Sequence, residues 1–86
     1  MATPLYAFYE GIDTLSEHLA SAGAHDWAEA LTNAIRVGST SGEILSNAGV
    51  VLRDLAESED VRRFQVEGEV ARLQSECKTL WNSSNG

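Results

Sequence analysis

The chain lacks the several cysteines of a disulfide-crosslinked domain and the long apolar run of a membrane-spanning protein. Its 86 residues contain one cysteine, Cys77, so no disulfide can form within it. Small domains in oxidising compartments are normally crosslinked by several disulfides, which favours a reducing, cytoplasmic setting here. No apolar run approaches the roughly 20 residues that span a bilayer, and the segment from Met1 to Tyr6 lacks the basic start of a signal peptide. We therefore expect a cytoplasmic protein with no membrane segment.

Positive charge is also scarce. Six Lys and Arg residues stand against 13 Asp and Glu residues, which gives a net charge of −7 and an isoelectric point near 4.5. This balance argues against a protein that follows the phosphate backbone of a nucleic acid, and against attraction to anionic lipid. It suits solubility, or the binding of a basic protein.

Apolar residues recur at helical spacing along the whole chain, and no segment alternates as a half-buried strand does. The pattern predicts four helices, over about residues 4–22, 27–37, 41–56 and 59–81. Connections of only about two to four residues make neighbouring helices antiparallel. The sequence thus predicts an all-α four-helix bundle with short loops. Residues 1–81 form its single domain, and residues 82–86 form a disordered C-terminal tail.

Capping residues place the predicted helix ends. The predicted N-caps are Thr3, Asp26, Thr40 and Ser58. Asp26 and Thr40 are each followed, three positions later, by a glutamate, which is the spacing of a capping box. Gly23 is placed to end the first helix. Gly49, inside the third helix, costs about 1 kcal/mol relative to alanine and indicates a close crossing of two helices.

No group of chemically active side chains forms a recognisable catalytic or metal site. His18 and His25 lie on either side of a predicted helix end, and Cys77 lies on the apolar seam of the last helix. Three or four convergent metal ligands are therefore lacking, and a thiol among apolar residues is inert. The loop over residues 38–42 lacks the lysine of a phosphate-binding loop and follows no strand. We predict no enzyme activity, no cofactor and no metal.

Two tyrosines widen the apolar face of the first helix. Tyr6 and Tyr9 lie beside the stripe that Leu5 and Phe8 begin. One interpretation is packing at the edge of the core with both hydroxyls in water. The other is an exposed contact surface for a partner protein or a second copy of the chain. Both interpretations stay open at the level of sequence.

Four acidic residues cluster across the predicted corner between the third and fourth helices: Asp54, Glu57, Glu59 and Asp60. The last two would lie at a helix N-terminus, where the helix dipole favours anions, and the first two at a helix C-terminus, where it disfavours them. This conflict indicates selection for negative surface charge. The alternative is an ordinary solvated turn, whose charge Arg62 and Arg63 partly neutralise.

The segment Trp27-Ala28-Glu29-Ala30-Leu31, with Ala34-Ile35 and residues 38–45, resembles small uncharacterised bacterial helical proteins that share a "WA..L..AI..G.TS.EIL" segment. The resemblance covers residues 15–56 and consists of core and cap positions. It implies a helical fold in a bacterial protein and no activity. In size and charge the chain is also similar to the four-helix immunity proteins of nuclease bacteriocins, but their paired-tyrosine motif beside an acidic stretch is absent.

These features predict a non-enzymatic protein-interaction domain of bacterial type, an acidic inhibitor or immunity-like partner of a basic protein. Tyr6 and Tyr9 would act as aromatic anchors, and the four clustered acids would steer the partner. The alternative is a homodimeric structural or regulatory module that associates through its first and last helices.

Overall fold

The computed structural model describes residues 4–85, with side chains as far as Ser83. Its helices are α1 (Pro4–Ser21), α2 (His25–Val37), α3 (Ser41–Glu57), α4 (Asp60–Arg63) and α5 (Glu67–Asn85). No strand occurs in this range, so the prediction of an all-α fold is confirmed. Residues 82–85, assigned by composition to a disordered tail, continue α5. Thr3, the predicted first cap, and Gly86 lie outside the described residues.

One apolar core joins all five helices. The largest fully buried side chains are Phe8, Ile12, Leu15, Leu19, Leu31, Leu45, Leu52, Leu55, Val66, Val70 and Leu73. The short helix α4 adds Val61, which is 7% exposed. The helix α1 contacts α2 and α5, and α3 contacts the same two helices from the other side. The four long helices therefore contact one another in a closed ring, with α4 packed on α3 and α5.

The end of α1 has the geometry that the sequence predicts. Gly23 has a φ of +93°, in the left-handed region that favours glycine. The amide of Ala24 donates to the carbonyl of Leu19 at 2.8 Å, and the amide of Gly23 donates to the carbonyl of Ala20 at 3.1 Å. These two bonds form a Schellman motif, which turns the chain directly into α2.

The two predicted capping boxes have different outcomes. The N-cap of α2 is Ala24, without a side-chain bond, and Asp26 lies inside the first turn, so the first box is wrong. Because the turn after α1 already places Ala24 at the helix start, α2 begins before the expected cap. The N-cap of α3 is Thr40, whose hydroxyl accepts the amide of Glu43 at 3.2 Å. The Glu43 carboxylate accepts the amide of Ser39 at 3.1 Å instead of the cap amide.

The single last helix predicted over residues 59–81 is wrong, because the chain breaks between α4 and α5. Gln65 has a φ of +55°, and its amide donates to the carbonyl of Arg62 at 3.1 Å. The amide of Val66 donates to the carbonyl of Val61 at 3.0 Å, which completes a second Schellman motif. In a continuous helix these two valines would point about 140° apart. The break lets both enter the core.

Ser58 ends α3, although its position predicts a cap for the next helix. It is the C-cap of α3, and its hydroxyl donates to the carbonyl of Leu55 at 2.8 Å. Glu59 takes the N-cap position of α4 without a side-chain bond. At the corner between the two helices, Ser58 therefore caps the end of α3 and does not cap the start of α4.

Two helical glycines play different parts in packing. A Cβ added to Gly11 would lie 2.6 Å from Leu73 Cδ2, so an alanine there would force the Leu73 side chain to shift where α1 meets α5. A Cβ added to Gly49 would lie 3.5 Å from Cys77 Sγ, an ordinary van der Waals distance. The contact between α3 and α5 therefore does not require Gly49, and no packing gain offsets its cost of about 1 kcal/mol relative to alanine.

Candidate functional site

The acidic corner, defined as Asp54, Glu57, Glu59 and Asp60, surrounds the junction of α3 and α4. The first three side chains are exposed. Asp54 Oδ1 lies 3.8 Å from Arg53 Nη2, a loose contact between exposed groups. Glu57 and Glu59 line an open cavity of about 420 Å³ together with Arg62. Three of the four predicted acids thus reach solvent at one corner of the molecule.

Asp60 differs from the other acids because it holds two helices together. The indole Nε1 of Trp27 donates to Asp60 Oδ2 at 2.7 Å, and Asp60 Oδ1 lies 4.0 Å from Arg63 Nη1. The bond joins the first turn of α2 to the first residue of α4. Sequence patterns gave no sign of it, because 33 positions separate the two residues.

The predicted aromatic anchors contact each other edge to face. The Tyr6 and Tyr9 ring centroids are 6.3 Å apart, with the ring planes at 86°. Tyr6 is 63% exposed, whereas Tyr9 is partly buried against the core. Burial raises the pKa of Tyr9, and the neighbouring Tyr6 adds to the effect. Tyr9 therefore packs at the edge of the core, and Tyr6 is the tyrosine that a partner could reach.

The tyrosine pair lies away from the acidic corner. Tyr6 is about 18 Å along α1 from His18, whose Nδ1 lies 2.9 Å from Glu69 Oε1 in the first turn of α5. That turn follows α4 directly. The start of α1 instead lines a cavity with Leu80 near the other end of α5. The structure brings the tyrosines together and the acids together, but it does not join the two sets into one patch.

A groove between α3 and α5 was not predicted. This α3–α5 groove has a volume of about 410 Å³ and is lined by Leu45, Ser46, Gly49, Val50, Arg53, Gln74, Cys77, Lys78 and Trp81. Val50 and Trp81 are 45% and 42% exposed, which is high for large apolar side chains. One signal in the sequence could have indicated it. Val50 is out of phase with the core positions of α3 and follows an interior glycine.

Cys77 lies in this groove as a buried, protonated thiol. The residue is 8% exposed, and burial raises the pKa of its thiol. The Sγ atom lies 3.3 Å from the carbonyl oxygen of Leu45, to which the S–H donates. The prediction of a packed cysteine is confirmed, and the raised pKa opposes the thiolate form that nucleophilic chemistry needs.

Both histidines, His18 and His25, are exposed. Within residues 4–85 no group of three or more His, Cys, Asp or Glu side chains is placed to hold a metal ion. Among the side chains of residues 4–83, every buried nitrogen and oxygen has a hydrogen-bond partner. No helix of the described chain has the length and apolar character needed to cross a bilayer.

Comparison of the chain with protein-family models, with curated proteins and with solved structures finds no match. The resemblances to bacterial helical proteins and to immunity proteins therefore rest on the sequence pattern alone. The acidic corner, the tyrosine pair and the α3–α5 groove are the surface features that bear on function.

Proposed function

We propose that the chain is a non-enzymatic protein-interaction domain of bacterial type, which binds a basic protein in the cytoplasm through its acidic corner. The observation that carries this proposal is the exposure of three carboxylates at one turn, those of Asp54, Glu57 and Glu59. Within residues 4–83, neither Glu57 nor Glu59 forms a salt bridge. Both carboxylates are therefore available to cations of a partner.

The placement of Glu57 at the end of α3 costs stability, which supports a role in binding. Glu57 is the last residue of α3, and no basic residue stands in that last turn to complement the helix dipole. An anion at a helix C-terminus is unfavourable by a few tenths of a kcal/mol or more. A surface selected for folding alone would place a cation there.

Electrostatic steering is the mechanism that this surface suits. The net charge of −7 and the exposed corner would raise the rate at which a basic protein arrives. The effect would weaken as salt shortens the screening length to about 8 Å at physiological ionic strength. An inhibitor or immunity-like role is the form of this function that we propose.

We also propose that the four long helices form a four-helix bundle with antiparallel neighbours. Their closed ring of contacts and the short connections after α1 and α2 support this arrangement. The helix α4 would then be a one-turn insertion at the corner before the last long helix.

Charge reversal at the corner tests the binding function. The variant Glu57→Lys/Glu59→Lys would be compared with Asp13→Lys/Glu29→Lys, which changes the net charge equally at exposed sites on α1 and α2. Tagged proteins would capture partners from lysate at low and high salt. We expect a basic protein held by the parent and the control variant at low salt and lost by the corner variant. Equal capture by all three proteins would refute the proposal.

A homodimeric module is the second candidate, and the exposure of Tyr6 favours it. This large side chain is 63% exposed beside the partly buried Tyr9, close to the cavity that α1 shares with α5. Sedimentation velocity would compare the parent with Tyr6→Glu, using Thr14→Glu on an exposed part of α1 as the control. A parent dimer that only Tyr6→Glu dissociates would support this alternative, and a monomeric parent would reject it.

A further inference from the structure

The α3–α5 groove combines apolar walls with positive charge, in a chain where cations are scarce. Arg53 on α3 and Lys78 on α5 are two of the chain's six Lys and Arg residues, and both line it. Arg53 is 63% exposed at its side chain, and its one salt-bridge partner among the described side chains is Asp54, at 3.8 Å. Lys78 forms no salt bridge within the described side chains. The groove therefore has the opposite charge preference from the acidic corner.

Gly49 is the one residue without a side chain among those that line the groove. The backbone at this position is helical, so no unusual dihedral angle calls for glycine. A Cβ would find ordinary contact distance to Cys77 Sγ, so packing does not call for it either. Gly49 lines the groove together with its chain neighbour Val50 and with Trp81, so a methyl group here would take up space at its wall. An occupant that needs depth at this point would account for the glycine.

We propose that the α3–α5 groove binds an acidic amphipathic helix of another protein. One apolar side chain of that helix would lie over Gly49, between Val50 and Trp81. Carboxylates on either side of it would pair with Arg53 and Lys78, and a guanidinium can hold a carboxylate through two parallel bonds. A helix laid into an apolar groove is a common mode of peptide recognition.

A second copy of the chain fits this groove less well than an acidic partner does. In a two-fold dimer the same patch faces itself, so the cations of one groove would approach those of the other. The groove differs from the acidic corner in the charge of the partner that it would bind. The two surfaces meet at the contact of Arg53 with Asp54, but the variants that test them, at Lys78 for the groove and at Glu57 and Glu59 for the corner, are at different positions.

A designed peptide provides the probe. It would be a capped, alanine-rich helix of about 16 residues, with two leucines one helical turn apart and glutamates flanking them. The control peptide replaces every glutamate with glutamine, because a lysine peptide would bind the acidic corner. Fluorescence anisotropy of a labelled peptide would give the affinity. We expect the acidic peptide to bind at least about tenfold more tightly than the neutral one. Equal affinities, or no binding at about 1 mM protein, would overturn the proposal.

Three variants assign the binding to the groove. We expect Lys78→Glu to weaken acidic-peptide binding about tenfold, while Arg62→Glu, an equal charge change at an exposed residue of α4, leaves it within about twofold. Gly49→Ala should weaken binding without lowering the melting temperature. Equal losses from both charge variants would show only a general charge effect and overturn the proposal. A dimer of the parent that excludes the peptide and dissociates in Val50→Glu would also overturn it, by assigning the groove to a second copy.

Discussion

Replacing each of two helical glycines by alanine should change stability in opposite directions. At position 11 the new Cβ would lie 2.6 Å from Leu73 Cδ2. Leu73 is fully buried, so the shift of its Cδ2 has to take place within the core. Overpacking of a core costs about 1–3 kcal/mol, and the better helix propensity of alanine returns about 1 kcal/mol. We expect Gly11→Ala to lower the free energy of unfolding by about 1 kcal/mol.

At position 49 the gain in helix propensity remains, and the cost of overpacking is absent. The new Cβ would lie 3.5 Å from Cys77 Sγ, where it gains a contact without a clash. Gly49→Ala should therefore raise the free energy of unfolding by about 0.5–1 kcal/mol. The two variants have the same chemistry and differ only in what the methyl group meets.

Thermal unfolding followed by circular dichroism would measure both effects. For a domain of this size, 1 kcal/mol corresponds to about 4–8 °C in melting temperature. Gly11→Ala should melt below the parent and Gly49→Ala above it, and urea unfolding would give the same order. A Gly11→Ala variant as stable as the parent would refute the close approach of α1 and α5 as described. A Gly49→Ala variant that melts lower would show that packing does require that glycine.

Three further predictions concern the turns, the corner and the thiol. A residue with a side chain in the left-handed conformation costs about 1–2 kcal/mol relative to glycine. Gln65→Gly should therefore raise the urea midpoint, and Gly23→Ala should lower it. Shifts of the same sign in both variants would contradict the two Schellman motifs. Trp27→Phe, which removes the donor to Asp60, should cost about 1–2 kcal/mol in urea unfolding, and an unchanged midpoint would make the bond irrelevant to stability. Burial raises the pKa of Cys77 above its ordinary value of 9.0, so the unfolded thiol ionises first and stability should fall as pH rises through that value. The free energy of unfolding should fall less between about pH 8 and pH 10 in Cys77→Ala than in the parent. Equal falls in the two proteins would show that the thiol is not the cause.

The helices could be predicted because burial imposes a period on the sequence. Apolar residues at helical spacing mark the core faces of α1, α2 and α3, and a glycine or a threonine marks two of the ends. The break before α5 could not be predicted in this way. Gln65 adopts a left-handed conformation without the glycine that signals one at position 23. The requirement that Val61 and Val66 both enter the core exists only once the other helices are in place.

The same difference between local and tertiary features separates the candidate surfaces. The acidic corner is local, because its members lie within seven consecutive positions, and sequence alone could find it. The α3–α5 groove needs side chains from two helices that are distant in the chain, among them Val50 and Trp81. The bond between Trp27 and Asp60 is likewise tertiary. Local sequence patterns therefore predicted the acidic corner and did not predict the α3–α5 groove.

The bond from Trp27 to Asp60 also supplies a spectroscopic label for the corner. The chain has two tryptophans; one donates its indole proton to a carboxylate of the acidic corner, and Trp81 lines the α3–α5 groove. Each proposed binding surface thus contains its own indole. In a two-dimensional nitrogen–proton NMR spectrum, the two indole signals would report separately on a basic partner at the corner and on an acidic helix in the groove.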